Sequence, residues 1–502
     1  MTWLATGEQM RQADARAMAE YSLPGSLLME AASVFTAQVA RAMAQGNICI
    51  IAGGGNNAGD GWGAARHLAA MGSSVLVLSI PDPADLAGDA ALQFRAASAA
   101  GVPWQQWQGR IPSSFCLLVD ALLGTGSKGA PRGEYQKAIA AINSYPAKVL
   151  AVDIPSGLPT DTQRVQWEVV KAEATATFGL AKLGLYTPAG RRAAGQIHIS
   201  PVGLPQELIR STGQILNTAK CAARGLPNRR YDSHKGSYGH GLLVAGSRGM
   251  SGAAMLAASS ALKSGIGLLT CACPRGINSV LEANLWEALT LPLAETVEGF
   301  IAGGGANQLE PFLAKFAAAA VGPGLGLSAH SRDVVDLLVA SDLPLIIDAD
   351  ALNHLAPGIP KRQRATVVTP HPGEMARLLG NTIEAVVSDP LTVARDAARA
   401  WQCVVILKGC TSYVASPEGT VAVSITGTDG LATGGSGDVL SGLLLGLISQ
   451  GAGPFAAACA ATWLLGRASE LAEPELGTAS QLPRDILTYL PLAIKELGAI
   501  ST

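Results

Sequence analysis

The 502-residue chain has no Cys-x-x-Cys pair, and its eight cysteines are scattered, with only Cys271 and Cys273 close together. That spacing offers neither a disulfide framework nor a zinc site, so free thiols in a reducing cytoplasm are expected. Charge is thin as well: charged residues make up 15% of the chain, the net charge is -2, and Lys and Arg nowhere cluster. Without a basic face there is no electrostatic footprint for nucleic acid or an anionic membrane, and small molecules are the expected partners. The absence of a Walker A sequence removes a P-loop nucleotide site. The opening stretch MTWLATGEQMRQADARAMAEYSL has no basic segment followed by an apolar core, and reads as a soluble amphipathic helix rather than a secretory signal. The run Val439 to Gly466 carries no charge and is long enough to span a bilayer, but Gln450, Gly451, Gly453 and Pro454 interrupt it. Two buried helices joined by a turn are expected there instead.

What the chain does have is apolar residues, at 48%, and 58 glycines. It is too long for one ordinary core, so two or three domains are expected. From residue 47, β-type runs (NICIIAGGG, SSVLVLSI, FCLLVDALLG, AKVLAVDIPSG, ATATFGL) alternate with Ala-rich helical stretches such as GWGAARHLAAMG. This rhythm predicts parallel βαβ units whose strands end in Gly, Asp or Ser loops, where open α/β sheets place ligands. It pauses between about Pro201 and Asp232, where the domain boundary is placed. A second series follows: GLLVAGS, GLLTCACP, AAAAVGPGLG, PLIIDADALN, ATVVTPHPGE and CVVILKGCTSYVA. The expectation is two tandem α/β domains.

In the first half, the loop AGGGNNAGDGWGAARHL fits a relaxed dinucleotide fingerprint at Gly53, Gly55 and Ala58, with Asp82 after the second strand. That match leaves the polar group Asn56, Asn57 and Asp60 unexplained, along with two later strand ends, VDALLGTGSKGAPRGEY and VDIPSG. Asp60, Asp120 and Asp153, with Asn57 and Ser156, would gather at one sheet edge, an oxygen-rich group suited to a hard cation or a polyhydroxylated ligand. Taken singly, each Asp could equally cap a helix. Together the three motifs resemble the YjeF N-terminal family of NAD(P)H-hydrate epimerases over roughly residues 1–215. The resemblance implies a Rossmann-like three-layer α/β/α domain, given as residues 1–217. It implies that Asn56, Asn57, Ala58, Gly59, Asp60, Gly124, Thr125, Gly126, Ser127, Lys128, Gly129, Ala130 and Asp153 line the hydrated-nicotinamide site, and that Asn57, Asp120 and Ser156 hold K+. Gln163 stands where the family usually has glycine. Inverting a carbon that bears a hydroxyl beside a ring nitrogen needs an acid or base, and Asp153 is the candidate.

In the second half, LATGGSGDVLSGLLLG sets Gly434, Gly435, Ser436 and Gly437 ahead of an apolar helix, with Asp438 at its mouth. A glycine-rich turn at a helix N-terminus is a phosphate cradle, and the Asp is either a cap or a base. This motif, with HKGSYGHGLLVAGS, SGAAMLAASSALKSGIG, VGPGLG, IIDADALN, TPHPGE and LKGCTS, resembles the ADP-dependent NAD(P)H-hydrate dehydratases, which have a ribokinase-like α/β fold. The match runs from about Tyr231 to the end, and the domain is given as 226–502. Thr428 and Asp429 stand where the family often has Asn and Pro, and Ser436 replaces a frequent Thr. The resemblance implies that Ala253, Gly324, His371 and Asp438 contact the hydrated dinucleotide. It further implies that Lys408, Gly409, Cys410, Thr411 and Ser412 contact ADP with the glycine cradle, that Mg2+ is a cofactor, and that Asp438 is the base.

Plainer roles remain open at this point. His371 could cap the helix that follows it, Lys408 could be a surface lysine with its stem along apolar neighbours, and Asp348 and Asp350 could bind magnesium, with capping or indirect support preferred. The rivals are a ribokinase-like small-molecule kinase fused to a non-catalytic YjeF-like binding module, and a Rossmann dehydrogenase, which lacks an evident hydride-transfer partner. The expected enzyme is a cytoplasmic homo-oligomer acting on NADHX and NADPHX, with no nucleic-acid or membrane partner.

Overall fold

The computed structural model describes residues 2–127, 129–162, 164–210 and 212–501. The chain forms two compact units, Thr2–Gln214 and the stretch from Ile215 onward, dividing inside the short strand Gln214–Leu216.

In the first unit, the apolar runs become a parallel seven-stranded sheet. Its order is Trp104–Gln106, Val75–Ser79, Ile48–Ala52, Leu117–Ala121, Lys148–Val152, Ala174–Phe178 and Gln196–Ser200. Helices cover both faces, because successive residues of a strand point to opposite sides and both sets are apolar. Thus Ile48 and Ile50 pack with Trp62 and Leu68, while Cys49 and Ile51 pack with Ile139 and Ile142. The three-layer expectation is met. From Ile48–Ala52 the chain moves outward to Val75–Ser79 and Trp104–Gln106, then returns to Leu117–Ala121 on the other side. The crevice between these two directions of winding is where open α/β sheets bind ligands. The register pairs Ile51 with Asp120 and Ala52 with Ala121, so the loops after both strands leave the sheet level with each other. A further short parallel pair joins Trp3–Ala5 to Ala181–Lys182.

The second unit repeats the strategy with nine strands. Their order is Leu289–Leu293, Leu268–Pro274, His240–Val244, Ala318–Val321, Leu345–Ile347, Thr366–Val368, Val404–Leu407, Ser412–Ala415 and Val421–Ser424. The strands are parallel up to Val404–Leu407, and the last two pairings are antiparallel. Winding reverses between His240–Val244 and Ala318–Val321. The charge-free run forms parts of two helices, Ser436–Ser449 and Pro454–Leu476, separated at the residues that break it. Among the described residues no helix is long and apolar enough to cross a membrane. Helix Ser436–Ser449 lies close against Ser251–Lys263. A Cβ on Gly442 would come within 1.9 Å of the Ala257 carbonyl oxygen, and one on Gly446 within 1.7 Å of Ser264 Oγ.

Two local expectations change. The NNAGD residues are not loop: helix Asn56–Ala70 begins at Asn56, with Gly55 as an N-cap that supplies no side-chain bond. The stretch CVVILKGCTSYVA is not one strand but a hairpin, Val404–Leu407 against Ser412–Ala415, with Lys408 to Thr411 in its turn.

Candidate functional sites

In each unit the candidate polar residues lie at the ends of parallel strands and at the helix starts that follow them. In the second unit, Gly435 has φ 104°, a left-handed conformation suited to glycine, and starts helix Ser436–Ser449 with no side-chain cap. Asp438 is therefore not the cap of its helix, which corrects one of the two readings open from sequence. The amide groups of a first helical turn lack intrahelical acceptors and carry the positive end of the helix dipole. Ser436 Oγ beside them is buried with no partner among the described residues.

A chain of charges stands behind this turn. Asp348 is 1% exposed and, although it begins helix Ala349–Leu355, makes no capping bond, so the capping reading is overturned. Its Oδ1 accepts from Lys408 Nζ at 2.9 Å and its Oδ2 from Ser441 Oγ at 2.6 Å. Burial works to raise the Asp348 pKa, but Lys408 and Ser441 prevail and hold it below the usual carboxylate value. The Lys408 side chain is only 22% exposed, so it is no surface lysine, and it also lies 3.8 Å from Glu374 Oε2. A Cβ on Gly437 would sit 3.4 Å from Lys408 Nζ and 3.7 Å from Asp348 Oδ2, so the cradle rests directly on the ion pair. Asp438 is pushed up to about 6, first by burial, then by Asp348, with Lys408 opposing.

The other expected contacts close around it. Gly324, at φ 59°, packs so closely that an added Cβ would fall 2.7 Å from the Met250 carbonyl oxygen and 3.0 Å from the Ala253 side chain, so Gly324 and Ala253 adjoin. Asp350 does not cap either; its Oδ2 accepts from the Gly326 amide at 2.8 Å and braces the same loop. His371 does cap helix Pro372–Leu379, its Nδ1 accepting from the Gly373 amide at 3.0 Å. An accepting Nδ1 leaves the proton on Nε2 in the neutral ring. The neutral form is favoured because burial, Lys408 and Arg377 lower the His371 pKa. The Lys408 amide bonds to the Pro370 carbonyl at 2.9 Å, joining the two loops. Within the hairpin turn, Ser412 Oγ accepts from the Gly409 amide at 3.3 Å, Cys410 is exposed and Thr411 is buried. Thr428 caps the turn Asp429–Leu431 through the Gly430 amide. Among the described residues no three His, Cys, Asp or Glu side chains form a metal cage.

In the first unit, Asp120 is completely buried. It accepts from Ser156 Oγ at 2.7 Å, the Ser156 amide at 2.8 Å and the Leu122 amide at 3.2 Å. Burial outweighs these bonds and pushes Asp120 up to about 6. Asn57, on the first turn of its helix, is 6% exposed, and neither carboxamide atom has a partner among the described residues. An unsatisfied buried amide is costly and calls for a ligand or ion as explanation. A Cβ on Gly124 would be 3.2 Å from Asn57 Oδ1, and Ser156 Oγ accepts from the Leu123 amide at 2.9 Å, so one loop touches both residues. Gly124 also accepts a turn bond from the Ser127 amide, and the Thr125 carbonyl accepts from Thr160 Oγ1 at 3.4 Å. Space is open around Gly126, and Gly129 takes φ 76°. Asn56 and Ala130 are exposed while Ala58, Gly59 and Asp60 are buried. Lys128 and Gln163 lie outside the described residues.

Asp153 has φ 66° and is 9% exposed. It is bound by Lys182 Nζ and by Thr177 Oγ1, a pairing that sequence reasoning missed. Asp14 was missed too; burial raises it to about 6, and Asp60 is raised well above the ordinary value by burial and then by Asp153. The available signal was a lysine set inside the apolar stretch FGLAKLGLY.

Comparison with known proteins agrees with both halves. The NAD(P)H-hydrate dehydratase family profile matches residues 241–492, and the profile described as the YjeF-related protein N-terminus matches 25–184. A bifunctional NAD(P)H-hydrate repair enzyme of Moorella thermoacetica is 38% identical over 99% of this chain and 97% of its own length. The enzyme of the same name from Escherichia coli is 34% identical over 88% of this chain and 84% of its own. Among solved structures, an ADP/ATP-dependent NAD(P)H-hydrate dehydratase of Bacillus subtilis co-crystallized with ATP/Mg2+ superposes with TM-score 0.51 and 32% identity, covering 56% of this chain and 98% of that one. A ribokinase-like superfamily protein of Enterococcus faecalis, 24% identical with TM-score 0.50 over 57% of this chain and 96% of that one, shares the fold. With relatives of this identity matching nearly end to end, the chain belongs to the family of bifunctional NAD(P)H-hydrate repair enzymes.

Proposed function

We propose that the chain repairs hydrated nicotinamide cofactors, its first unit (given from sequence as 1–217) interconverting the (R) and (S) epimers of NADHX and NADPHX and its second (226–502) dehydrating the (S) form. The observation that carries the dehydratase reading is Asp438, half-buried in the first turn of a helix that has no side-chain cap, directly after the Gly434–Gly437 turn. As a carboxylate it takes the proton of the substrate hydroxyl, and the freed oxygen attacks the terminal phosphate of ADP, releasing AMP. The cradle amides stabilise the charge that develops on the phosphoryl oxygens. Phosphate then leaves with its bonding electrons as the neighbouring ring carbon loses a proton, restoring the dihydronicotinamide. Ala253, Gly324 and the Nε2–H of His371 would contact the substrate, and Lys408, Gly409, Cys410, Thr411 and Ser412 the nucleotide.

Magnesium fits as an ion that arrives with the nucleotide phosphates, since Asp348 already faces Lys408 and Ser441. Potassium fits the first unit, where the orphaned Asn57 carboxamide and the desolvated Asp120 carboxylate, with Ser156, supply oxygen donors. A bound K+ would offset the Asp120 charge. Potassium is therefore expected to raise the melting temperature above that in an equal concentration of N-methylglucamine, and Asp120→Asn to erase the difference. Thermal denaturation of both proteins in both salts measures it.

The kinase alternative uses the same cradle and base, but it leaves the polar set Asn57, Asp60, Asp120, Asp153 and Ser156 without a use, and the matching relatives carry the repair name over nearly the whole chain. The reading places a homo-oligomer in the cytoplasm, where these cofactors are damaged. Its test is the pure (S) epimer incubated with ADP, ATP or no nucleotide: AMP, phosphate and NADH are expected in equal amounts with ADP. Because Asp438 acts deprotonated and titrates at about 6, dehydratase kcat/KM should be full well above that pH and fall as pH drops through it. A rate independent of pH across this range would remove Asp438 as the base.

A further inference from the structure

Lys182 is a sealed cation inside the first unit, 1% exposed. A buried ammonium is stable only when its charge is paired and its donors are used. All three are: Nζ donates to Asp153 Oδ1, to Thr177 Oγ1 at 3.1 Å and to the Phe178 carbonyl at 2.8 Å. Its backbone is fixed by parallel pairing, Lys182 standing opposite Ala5. Asp153 is held differently. Its Oδ1 takes both Lys182 and the Thr177 hydroxyl, the latter at 3.2 Å, whereas Oδ2 accepts no hydrogen bond among the described residues. The Asp153 side chain keeps 12% of its surface open against 2% for Lys182. Its φ of 66° and the 2.7 Å bond from its amide to the Ala176 carbonyl fix the backbone from which the carboxylate projects. A purely structural pair would be closed on both sides; here the lysine is closed and the carboxylate has one oxygen left.

We infer that Lys182 is the positioning residue of the epimerisation site: with Thr177 it grips one oxygen of Asp153 from behind and aims the other at the substrate carbon that inverts. This rests on the epimerase reading above. The facing ionisable groups are Asp14 from helix Gly7–Tyr21 and Asp60 from helix Asn56–Ala70, so one cation serves three carboxylates. Through its second oxygen Asp153 takes the proton of the substrate hydroxyl as the bond from that carbon to the ring nitrogen opens to leave an aldehyde, and returns it when the nitrogen closes on the opposite face, so bonds and protons balance and no co-reactant is consumed.

The test uses the full chain and the pure (R) epimer, with dehydration of the (S) epimer as the internal control. Lys182→Met is expected to slow epimerisation about 100-fold while dehydration proceeds at the wild-type rate. It should also move the acid limb of the epimerase pH profile upward, because removing a neighbouring cation favours the protonated carboxyl. Thr177→Val, nearly isosteric, should act in the same direction more weakly, and decides the matter should Lys182→Met fail to fold. Wild-type epimerisation in either folded variant, or a slower rate with an unmoved pH profile, would overturn the assignment. A wild-type chain that does not epimerise at all would instead remove the epimerase reading on which it rests.

Discussion

Asp438→Asn is expected to slow dehydration of (S)-NADHX by about 10²- to 10⁴-fold, the range typical for loss of a general base, and to leave epimerisation at its wild-type rate. Asparagine has the same shape and cannot accept the proton. The Gly435 turn does not depend on the carboxylate, because the helix has no side-chain cap, so the cradle should survive and nucleotide affinity should change little. Removing a charge that burial and Asp348 both oppose should stabilise the unit rather than weaken it. The check is a pair of assays on one preparation, NADH release from the (S) epimer and conversion of the (R) epimer. Equal loss of both activities would mean misfolding and would not count for the assignment.

Lys408→Met should act through stability as well as chemistry. It leaves Asp348, 1% exposed, with only neutral hydroxyl partners, Ser441 among them. Breaking a buried ion pair from one side costs about 3–5 kcal/mol, chiefly because the other charge is left uncompensated. The second unit should unfold at clearly lower denaturant, and dehydration should fall with it because Gly437 rests on this pair. The double variant Lys408→Met, Asp348→Asn removes both charges and should recover much of the stability but not the activity. Denaturant unfolding of both variants beside the dehydratase assay makes the comparison; a single variant as stable as the wild type would show that the pair is solvated and not a foundation of the cradle.

The sequence was most readable where one strand must be apolar on both faces. Ile48–Ala52 and Val404–Leu407 are fully buried and stood out as unbroken apolar runs, while the equally buried Leu117–Ala121 is broken only by Asp120. Edge strands hid: Trp104–Gln106 is exposed throughout, and Leu289–Leu293 is mostly so or partly covered and contains Pro292. The start of helix Asn56–Ala70 was hidden by glycines and the lack of a capping side chain. At the candidate sites, ordered motifs brought out the strand-end loops, but not which charges pair. Lys408 and Asp348 are 60 residues apart, and Lys182 and Asp153 are 29 apart. A residue type in a loop carries no sign of a partner that only the winding of the sheet brings near. Asp348 shows the consequence: by position it is a helix cap, and in the fold it is the anion beside the Gly434–Gly437 turn, paired with Lys408.

The most direct measurement is recovery of the near-ultraviolet absorbance of NADH from a mixture of both NADHX epimers supplied with ADP. Two working sites in one chain predict complete recovery, the (R) share passing through the (S) form without a slow phase. Recovery that stops at the (S) share, with the remainder lagging at its spontaneous rate, would contradict the epimerase, and no recovery with either ADP or ATP would contradict the account as a whole.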